Sequence, residues 1–402
     1  DMSTSHTETV DVPSFWTKGL VRNTDTSTDY YKIQDAIDNA SAGDTLNVWA
    51  WTYYETLEVD RRVNIVGNGT GNTTLDGESS TDYVVYIQSN GVKIKSLKII
   101  NGNWESVYLS YRDDIVLENL VVHNSGDWGI YAGNSEDLEI LNSVVSSSGA
   151  GIYSGFSTTI KDSNVIDNNN YGIYVSGNNI KVENSTVSGT TCNGSCSSNG
   201  YGFYILGNSA FLYNNTISNN SNDGIYSIGD AVRFVKNLVV DNDAYGMVLA
   251  SDYSHRVIDN QILRNEKSGL YVSNVWNSKF ESNTIENNDE YGILSYGSDN
   301  NIFWNNTLSS NDDKDFGFES YSEDNYAINT VFTTISVDAS SDLTLKVYFV
   351  LDVNDASGNN MSGIDIKVME DDTQKYASDY FGGSDPKTDS YGTIETFLID
   401  YV

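Results

Sequence analysis

The sequence predicts an all-β protein: a parallel β-helix that opens with a capping helix and is followed by a small β-sandwich. Three observations carry this. A short pattern recurs about every 22 residues through the middle of the 402-residue chain. Turns have to be built from Gly, Asn, Asp and Ser, because there are 33 glycines and only two prolines, Pro13 and Pro386. After about Asn329 the period stops and longer alternating strands take over.

The N-terminal segment, residues 1–45, contains "TSTDYYKIQDAIDNASAGD", in which Ile33, Ala36, Ile37 and Ala40 have helical spacing. Thr28 or Asp29 stands where an N-cap belongs, and Gly43 falls just past the end. A solenoid leaves an open strand edge and an apolar core at each end, so this helix is expected to cap the stack. "DTLNVWAWTYYETLEV", "VNIVGNG" and "TTLDG" then read as the first, less regular coils.

The β-helix, residues 46–328, rests on two markers. "GIY" or a close variant starts at Gly129, Gly151, Gly172, Gly202, Gly224, Gly246, Gly269, Gly292 and Gly317, at spacings of 22, 21, 30, 22, 22, 23, 23 and 25. A small polar residue before a short apolar run falls at Ser96, Asn119, Asn142, Ser163, Ser185, Asn215, Asn237, Asn260, Asn283 and Asn306, at spacings of 23, 23, 21, 22, 30, 22, 23, 23 and 23. Both jump by 30 at the coil that carries "GTTCNGSCSSNG", which is therefore a loop inserted into one repeat. A leucine-rich repeat is excluded, since "TISNNSNDGIYSIGDAVRFVKN" has no leucine framework. Each unit shows two or three short β-type runs with no room for a helix, which is one coil of a β-helix.

Stacked coils place Ile130, Ile152, Ile173, Phe203, Ile225, Met247, Leu270, Ile293 and Phe318 in an internal ladder, and the Asn series in a second ladder bonded through its amides. Successive strand residues face opposite sides, so Tyr131, Tyr153, Tyr174, Tyr204, Tyr226 and Tyr271 are expected on an outer stripe. In residues 329–402, "TTISVDASSDLTLKVYFVLDVND", "IDIKVMED" and "GTIETFLIDY" alternate as an antiparallel sandwich would, with an edge open to strand addition.

The formal net charge of −34 argues against nucleic acid or an anionic membrane as partner, because both ask for a basic footprint. It suits a calcium-rich or saline exterior. No run of 18 apolar residues occurs, so no spanning helix is expected. The opening "DMSTSHTETV" reads as a mature N-terminus or as a start without a leader. Cys192 and Cys196, in "TTCNGSCSSNG", make a poor zinc site and are read as a disulfide-closed loop, which implies an oxidising, extracellular setting, with two free thiols as the alternative.

With "YYKIQDAIDNASAGDTLNV", "VNIVGNGTGNTTLDG" and the Gly-Ile-Tyr coils in view, the chain resembles the pectate-lyase-like right-handed β-helix superfamily, especially its NosD-like exported repeat proteins, over residues 28 to 328. The tail "VLDVNDASGNNMSGIDIKVMED" with "TDSYGTIE" is similar to immunoglobulin-like extensions in archaeal surface proteins, methanogens among them. The resemblance implies a right-handed β-helix with an immunoglobulin-like domain. It implies lyase, glycosidase, epimerase or non-catalytic surface-layer, sheath and adhesin roles alike.

The enzyme branches make demands that few residues meet. A polygalacturonase-like site needs Gly-His-Gly and Arg-Ile-Lys motifs, and only Asp113-Asp114 is present. A lyase-like site needs a carboxylate cluster to hold Ca²⁺ and an Arg or Lys base on an adjacent coil; no cofactor is otherwise expected. Arg112, Asp113 and Asp114 in "SYRDDIV" lie about six coils from Tyr253, His255 and Arg256 in "SDYSHRV", so the two sets cannot share a site. Tyr253, His255 and Arg256 stand as the alternative catalytic set, though a turn histidine is more often only solvated. The turns "NDDKD" and "NNDE" lack the spacing of a repeated Ca²⁺ site. Sequons at Asn39, Asn68, Asn72, Asn184, Asn193, Asn214, Asn219, Asn305 and Asn360 permit N-glycosylation without establishing it.

From sequence alone, then, the chain reads as a non-catalytic subunit of a surface layer, sheath or filament, self-associating through its tyrosine stripe and C-terminal domain at the cell surface. A lyase or epimerase acting on acidic glycans is the alternative, and a glycan-binding adhesin the third reading.

Overall fold

One repeat has room for three short strands and three polar turns, and in the computed structural model of the protein each repeat is spent that way. The structure describes residues 20–80, 82–192, 199–250, 253–370 and 372–401. In the coil that begins at Tyr171, sheet 1 takes Tyr171–Val175, sheet 2 Lys181–Glu183 and sheet 3 Thr186–Ser188. Each strand pairs in parallel with its equivalent one repeat on: Ile173 with Phe203, Val182 with Leu212, Val187 with Ile217. The chain divides into two units, Asp1–Tyr153 and Ser154–Val402, and both are built on this plan.

Unit 1 does not open with the expected capping helix. Thr28 and Asp29 lie in the strand Thr28–Tyr30, and the helix is only the six residues Ile33–Asp38, with Lys32 at the N-cap position. Its first N–H groups are met by Glu55, whose carboxylate accepts from Ile33 at 2.8 Å and Gln34 at 3.2 Å. An anion belongs at a helix N-terminus, but this one arrives from the next coil, where local sequence cannot announce it. The edge of sheet 2 is covered by a strand: Val21–Asn23 runs antiparallel to Thr45–Val48 and to Thr28–Tyr30. That pairing satisfies the backbone groups an open edge would expose.

In unit 2 the inner ladder of sheet 1, Ile173, Phe203, Ile225, Met247, Leu270 and Ile293, is fully buried. It continues with Phe316 rather than Phe318, because Ile293 pairs with Phe316 and Ser295 with Phe318. The last spacing of the Gly marker is long for that reason: Gly317 sits opposite Leu294, two residues out of step. The glycine of each Gly-Ile-Tyr is required for room. A Cβ on Gly202 would stand 2.5 Å from the carbonyl oxygen of Gly224, and one on Gly246 2.6 Å from that of Gly269.

The polar marker separates into two columns. Asn215, Asn237, Asn260, Asn283 and Asn306 are buried, and each side-chain oxygen from Asn237 onward accepts the backbone N–H of the Asn one coil before it at 2.9 to 3.0 Å. Ser163 and Ser185 share this column. Ser96, Asn119 and Asn142 do not: they hold left-handed φ of 59°, 51° and 48° at the outer corner, and the inward neighbours there are Leu97, Leu120 and Ser143. A second buried ladder, through Asn220, Asn242, Asn265, Asn288 and Asn311, lies in the turn between sheets 3 and 1.

The solenoid also runs past Asn329. Ile335–Val337 pairs in parallel with Phe316 to Phe318, and the start of Leu343–Asp352 pairs in parallel with Asn325–Ile328. Beyond it Leu343–Asp352 pairs antiparallel with Thr393–Tyr401, and Lys367–Glu370 forms a hairpin with Thr373–Ala377. These pairings extend sheet 2 and add a hairpin; they do not show the immunoglobulin-like sandwich.

Candidate functional site on the tyrosine face

Alternation along sheet 1 turns the residue after each buried isoleucine outward, and in most coils that residue is tyrosine. In unit 2, Tyr174 stacks on Tyr204 at 5.3 Å between ring centroids and Tyr204 on Tyr226 at 5.1 Å, with interplanar angles of 17° and 10°. Val248 interrupts the column before Tyr271. A second column, three residues earlier in the chain, holds Tyr171, Tyr201, Asp223 and Tyr245, the last two just ahead of their strands, and Tyr245 stacks on Tyr271 at 5.2 Å. In unit 1, Tyr108, Tyr131 and Tyr153 stack at 5.3 and 4.6 Å, with Tyr83 stacked on Tyr108 at 4.4 Å. The rings cover one another and are half-buried, not a freely exposed stripe.

Asp223 is the one carboxyl set into the second column of unit 2. It is 5% exposed, and its Oδ1 accepts the backbone N–H of Tyr245 at 3.1 Å. Burial pushes its pKa up to about 7, against the opposing pull of that hydrogen bond and of Lys267. The Lys267 ammonium lies 4.8 Å from the centre of the Tyr245 ring. Burial first, and then nearby carboxylates, hold the Tyr201 and Tyr245 phenols up at about 12, so both keep their protons at neutral pH. A carboxyl that titrates near neutrality, two phenols and an ammonium together make an acid–base set.

Unit 1 carries a second perturbed carboxyl. Glu105 is 7% exposed, and burial, then the charge of Asp127, raises its pKa to about 7. Among the described residues its Oε2 has no hydrogen-bond partner, and burial raises Asp127 as well.

The residues singled out from sequence do not assemble. Tyr253 is exposed and stacks on Trp276, His255 is 1% exposed, and Arg256 points outward from sheet 2, so the alternative catalytic set is split by strand alternation. Burial lowers the His255 pKa to about 4. Far from being solvated at a turn, it is a core residue. Near Arg112, Asp113 is bonded to Asn90 along the stack, and Asp114 has a left-handed φ of 59°. Cys196 and the sequon residue Asn193 lie outside the described residues. Asn214 donates to the Asn184 side chain at 2.9 Å, so two of the sequons are engaged in the stack. Among the described residues no three His, Cys, Asp or Glu side chains are grouped to hold a metal ion, and no helix is long and apolar enough to cross a membrane. A pocket of about 340 Å³ lined by Asn47, Val48, Trp49, Val66, Gly67 and Asn68 holds no titratable group.

Asp223, Glu105 and Lys267 escaped the sequence reading. Their signal was an exception within the repeat. The position before the buried core residues is aromatic in "YGIY" and "YGFY" but acidic in "DGIY" and "ESVY".

The sequence matches the family described as right-handed β-helix region over residues 82–200 and 195–333. No curated protein matches it. Among solved structures, the A-module of the mannuronan C-5 epimerase AlgE6 of Azotobacter vinelandii is similar, at 17% identity and TM-score 0.62, over 74% of this chain and 93% of that one. The AlgE4 A-module from the same organism gives 17% and 0.58, over 73% and 94%. The catalytic unit of a GH87 α-1,3-glucanase from Streptomyces thermodiastaticus gives 13% and 0.53, over 78% and 63%. At such identities the likeness is one of fold.

Proposed function

The chain belongs to the right-handed β-helix family, and from that premise we propose that it acts on polysaccharide, as a lyase or epimerase of acidic glycans working on the tyrosine face of unit 2. The observation that carries this is Asp223, a buried carboxyl titrating near 7 among tyrosines and beside Lys267. The row of tyrosines, stacked face to face, presents ring edges and phenol hydroxyls outward, a surface on which a sugar chain can pack and hydrogen-bond. Abstraction of the proton α to a uronate carboxylate asks for a base with a pKa near the working pH, a cation to hold the developing charge, and an acid. In this reading ionised Asp223 takes that proton and Lys267 faces the sugar carboxylate. For elimination, the electron pair left on carbon forms the new double bond, the glycosidic C–O bond breaks, and the Tyr245 phenol protonates the departing oxygen. For epimerisation, the phenol returns a proton to the opposite face of the same carbon.

Several solved β-helices of similar fold act on glycans by name, the AlgE6 and AlgE4 modules on mannuronan and the GH87 enzyme on α-1,3-glucan, and this supports the enzymatic reading over a structural subunit. The half-covered tyrosine rings also leave less surface for lateral packing than a free stripe would. The test is a panel of alginate, polymannuronate and pectate, followed by unsaturated-uronate absorbance and by proton NMR of the sugar configuration. Asp223→Asn is expected to lower turnover at least 100-fold. Retention of a glycan without turnover would make the chain a binding protein, and silence in every assay would remove the reading. Glu105 supports a second reading, acid catalysis on a neutral glucan in unit 1, which reducing-end release and its loss in Glu105→Gln would test.

A further inference from the structure

The outer face of sheet 2 in unit 2 carries a column of cations that the tyrosine face does not use. Register sets Lys181, Phe211, Arg233, Arg256 and Lys279 on successive rungs. Neighbouring rungs are about 4.8 Å apart, so Arg233 and Arg256 are like charges on directly paired positions, an arrangement that costs stability. The flanking lysines are neutralised two residues along their own strands: Lys181 pairs with Glu183 at 2.9 Å and Lys279 with Glu281 at 2.7 Å. At the same position the two arginines have Val235 and Ile258 instead. Both arginines are exposed, and neither meets a carboxylate among the described residues, in a chain with 56 acidic residues to 22 basic ones. Aromatic rings border the column. The Arg233 guanidinium lies 5.1 Å from the centre of Phe211, Phe211 is stacked on Tyr213 at 5.9 Å, and Lys279 lies 4.4 Å from the centre of Trp304.

We propose that this column is a binding strip for an extended carboxylate-bearing polysaccharide, laid along the stacking direction with successive carboxylates on Arg233 and Arg256. Guanidinium groups bind carboxylates in a bidentate fork, and the cation–π contact with Phe211 holds the Arg233 guanidinium in place beside the strip. Charge complementarity selects the occupant. A strip this narrow on a molecule of net charge −34 is too small a basic footprint for nucleic acid. The strip shares with the proposed function only its class of ligand; it requires no turnover and lies on a different sheet.

The test measures the affinity of the full chain for polygalacturonate and alginate by calorimetry at low and high salt, with fully methyl-esterified pectin as the uncharged control. Arg233→Glu with Arg256→Glu is expected to weaken binding at least tenfold at low salt, and Arg233→Gln with Arg256→Gln to weaken it severalfold and flatten the salt dependence. The same losses are expected when Tyr204→Ala is added, which separates this strip from the tyrosine face. Far-UV circular dichroism checks folding, and the glutamine pair decides if the glutamate pair does not fold. Unchanged affinity in both pairs, or equal binding of the methyl ester, would overturn the proposal. So would loss only of a salt-dependent self-association, which would assign the strip to a second copy of the chain.

Discussion

The carboxylate of Asp223 accepts the backbone N–H of Tyr245 across one rung of sheet 1, and in that buried place it titrates near 7. Unfolded, an aspartate titrates near 3.9. The folded state therefore holds its proton over a range where the unfolded state has lost it. Stability from this group is fully present below the unfolded pKa and is lost as pH rises through 7. Wild-type stability is expected to fall by on the order of a few kcal/mol between about pH 4 and pH 8 from this residue alone. Asp223→Asn should remove that part of the slope, while Glu105, raised in the same direction, keeps its own. Urea midpoints across this range decide it: parallel wild-type and variant profiles would contradict the burial argument.

Tyr204 lies between two rings, at 5.3 Å from Tyr174 and 5.1 Å from Tyr226. Tyr204→Ala should cost about 1–3 kcal/mol, since it removes both stacks, the edge contacts with Tyr171 and Tyr201, and half-buried area. Tyr204→Phe keeps both stacks and should stay within about 0.5 kcal/mol of wild type. If the outward ring edge is part of the sugar-contact surface, affinity for oligosaccharide should follow the same order, with Ala at least tenfold weaker and Phe near wild type. Loss in Phe equal to that in Ala would shift the role to the hydroxyl.

The repeat was legible because its two causes are local. A glycine is needed wherever neighbouring coils approach too closely for a Cβ, and an apolar residue wherever the strand turns inward. Asp223 and Glu105 were not legible as functional, because their perturbation comes from what the neighbouring coils place over them. His255 was misjudged for the same reason: its turn-like neighbours suggested water, but alternation in Arg256–Ile258 sends Arg256 outward and leaves His255 in the core. The start of the solenoid was misread because Glu55 and Val21–Asn23, which meet the helix and the sheet edge, stand some 20 residues apart from Ile33 and Leu46 in sequence.

Gly202 tests the close-approach account. A methyl group there would meet the Gly224 carbonyl oxygen at 2.5 Å, the Ile217 side chain at 2.9 Å and the Asn220 amide at 2.8 Å. Because one of these is backbone within a parallel ladder, relief requires the coils to part. Gly202→Ala should destabilise by about 2–4 kcal/mol, more than helix or strand propensity could explain. Gly71, with open space where a Cβ would go, is the control and should tolerate alanine with a change of about 0.5 kcal/mol or less. Equal effects at the two positions would refute the steric explanation.

Asn260 and Asn119 look alike in sequence, each an asparagine before a short apolar run, yet they occupy different columns. Asn260 is buried; its amide donates to Asn283 Oδ1 at 3.0 Å and to the carbonyl of Phe234 at 2.9 Å, and its Oδ1 accepts the backbone N–H of Asn237 at 2.9 Å. Asn260→Ala strands those partners away from water, and each unpaired buried group costs about 1–3 kcal/mol, so a total of about 3–5 kcal/mol is expected. Asn119 stands exposed at a left-handed φ of 51° with one bond to Ser96 at 3.1 Å. Asn119→Ala should cost only about 1 kcal/mol, the penalty of a Cβ without a helpful side chain in that conformation. Asn119→Gly should recover most of it, whereas Asn260→Gly should not. Chemical denaturation of the four variants reads this out, and comparable losses at the two sites would refute the distinction between a buried, bonded asparagine and an exposed corner one.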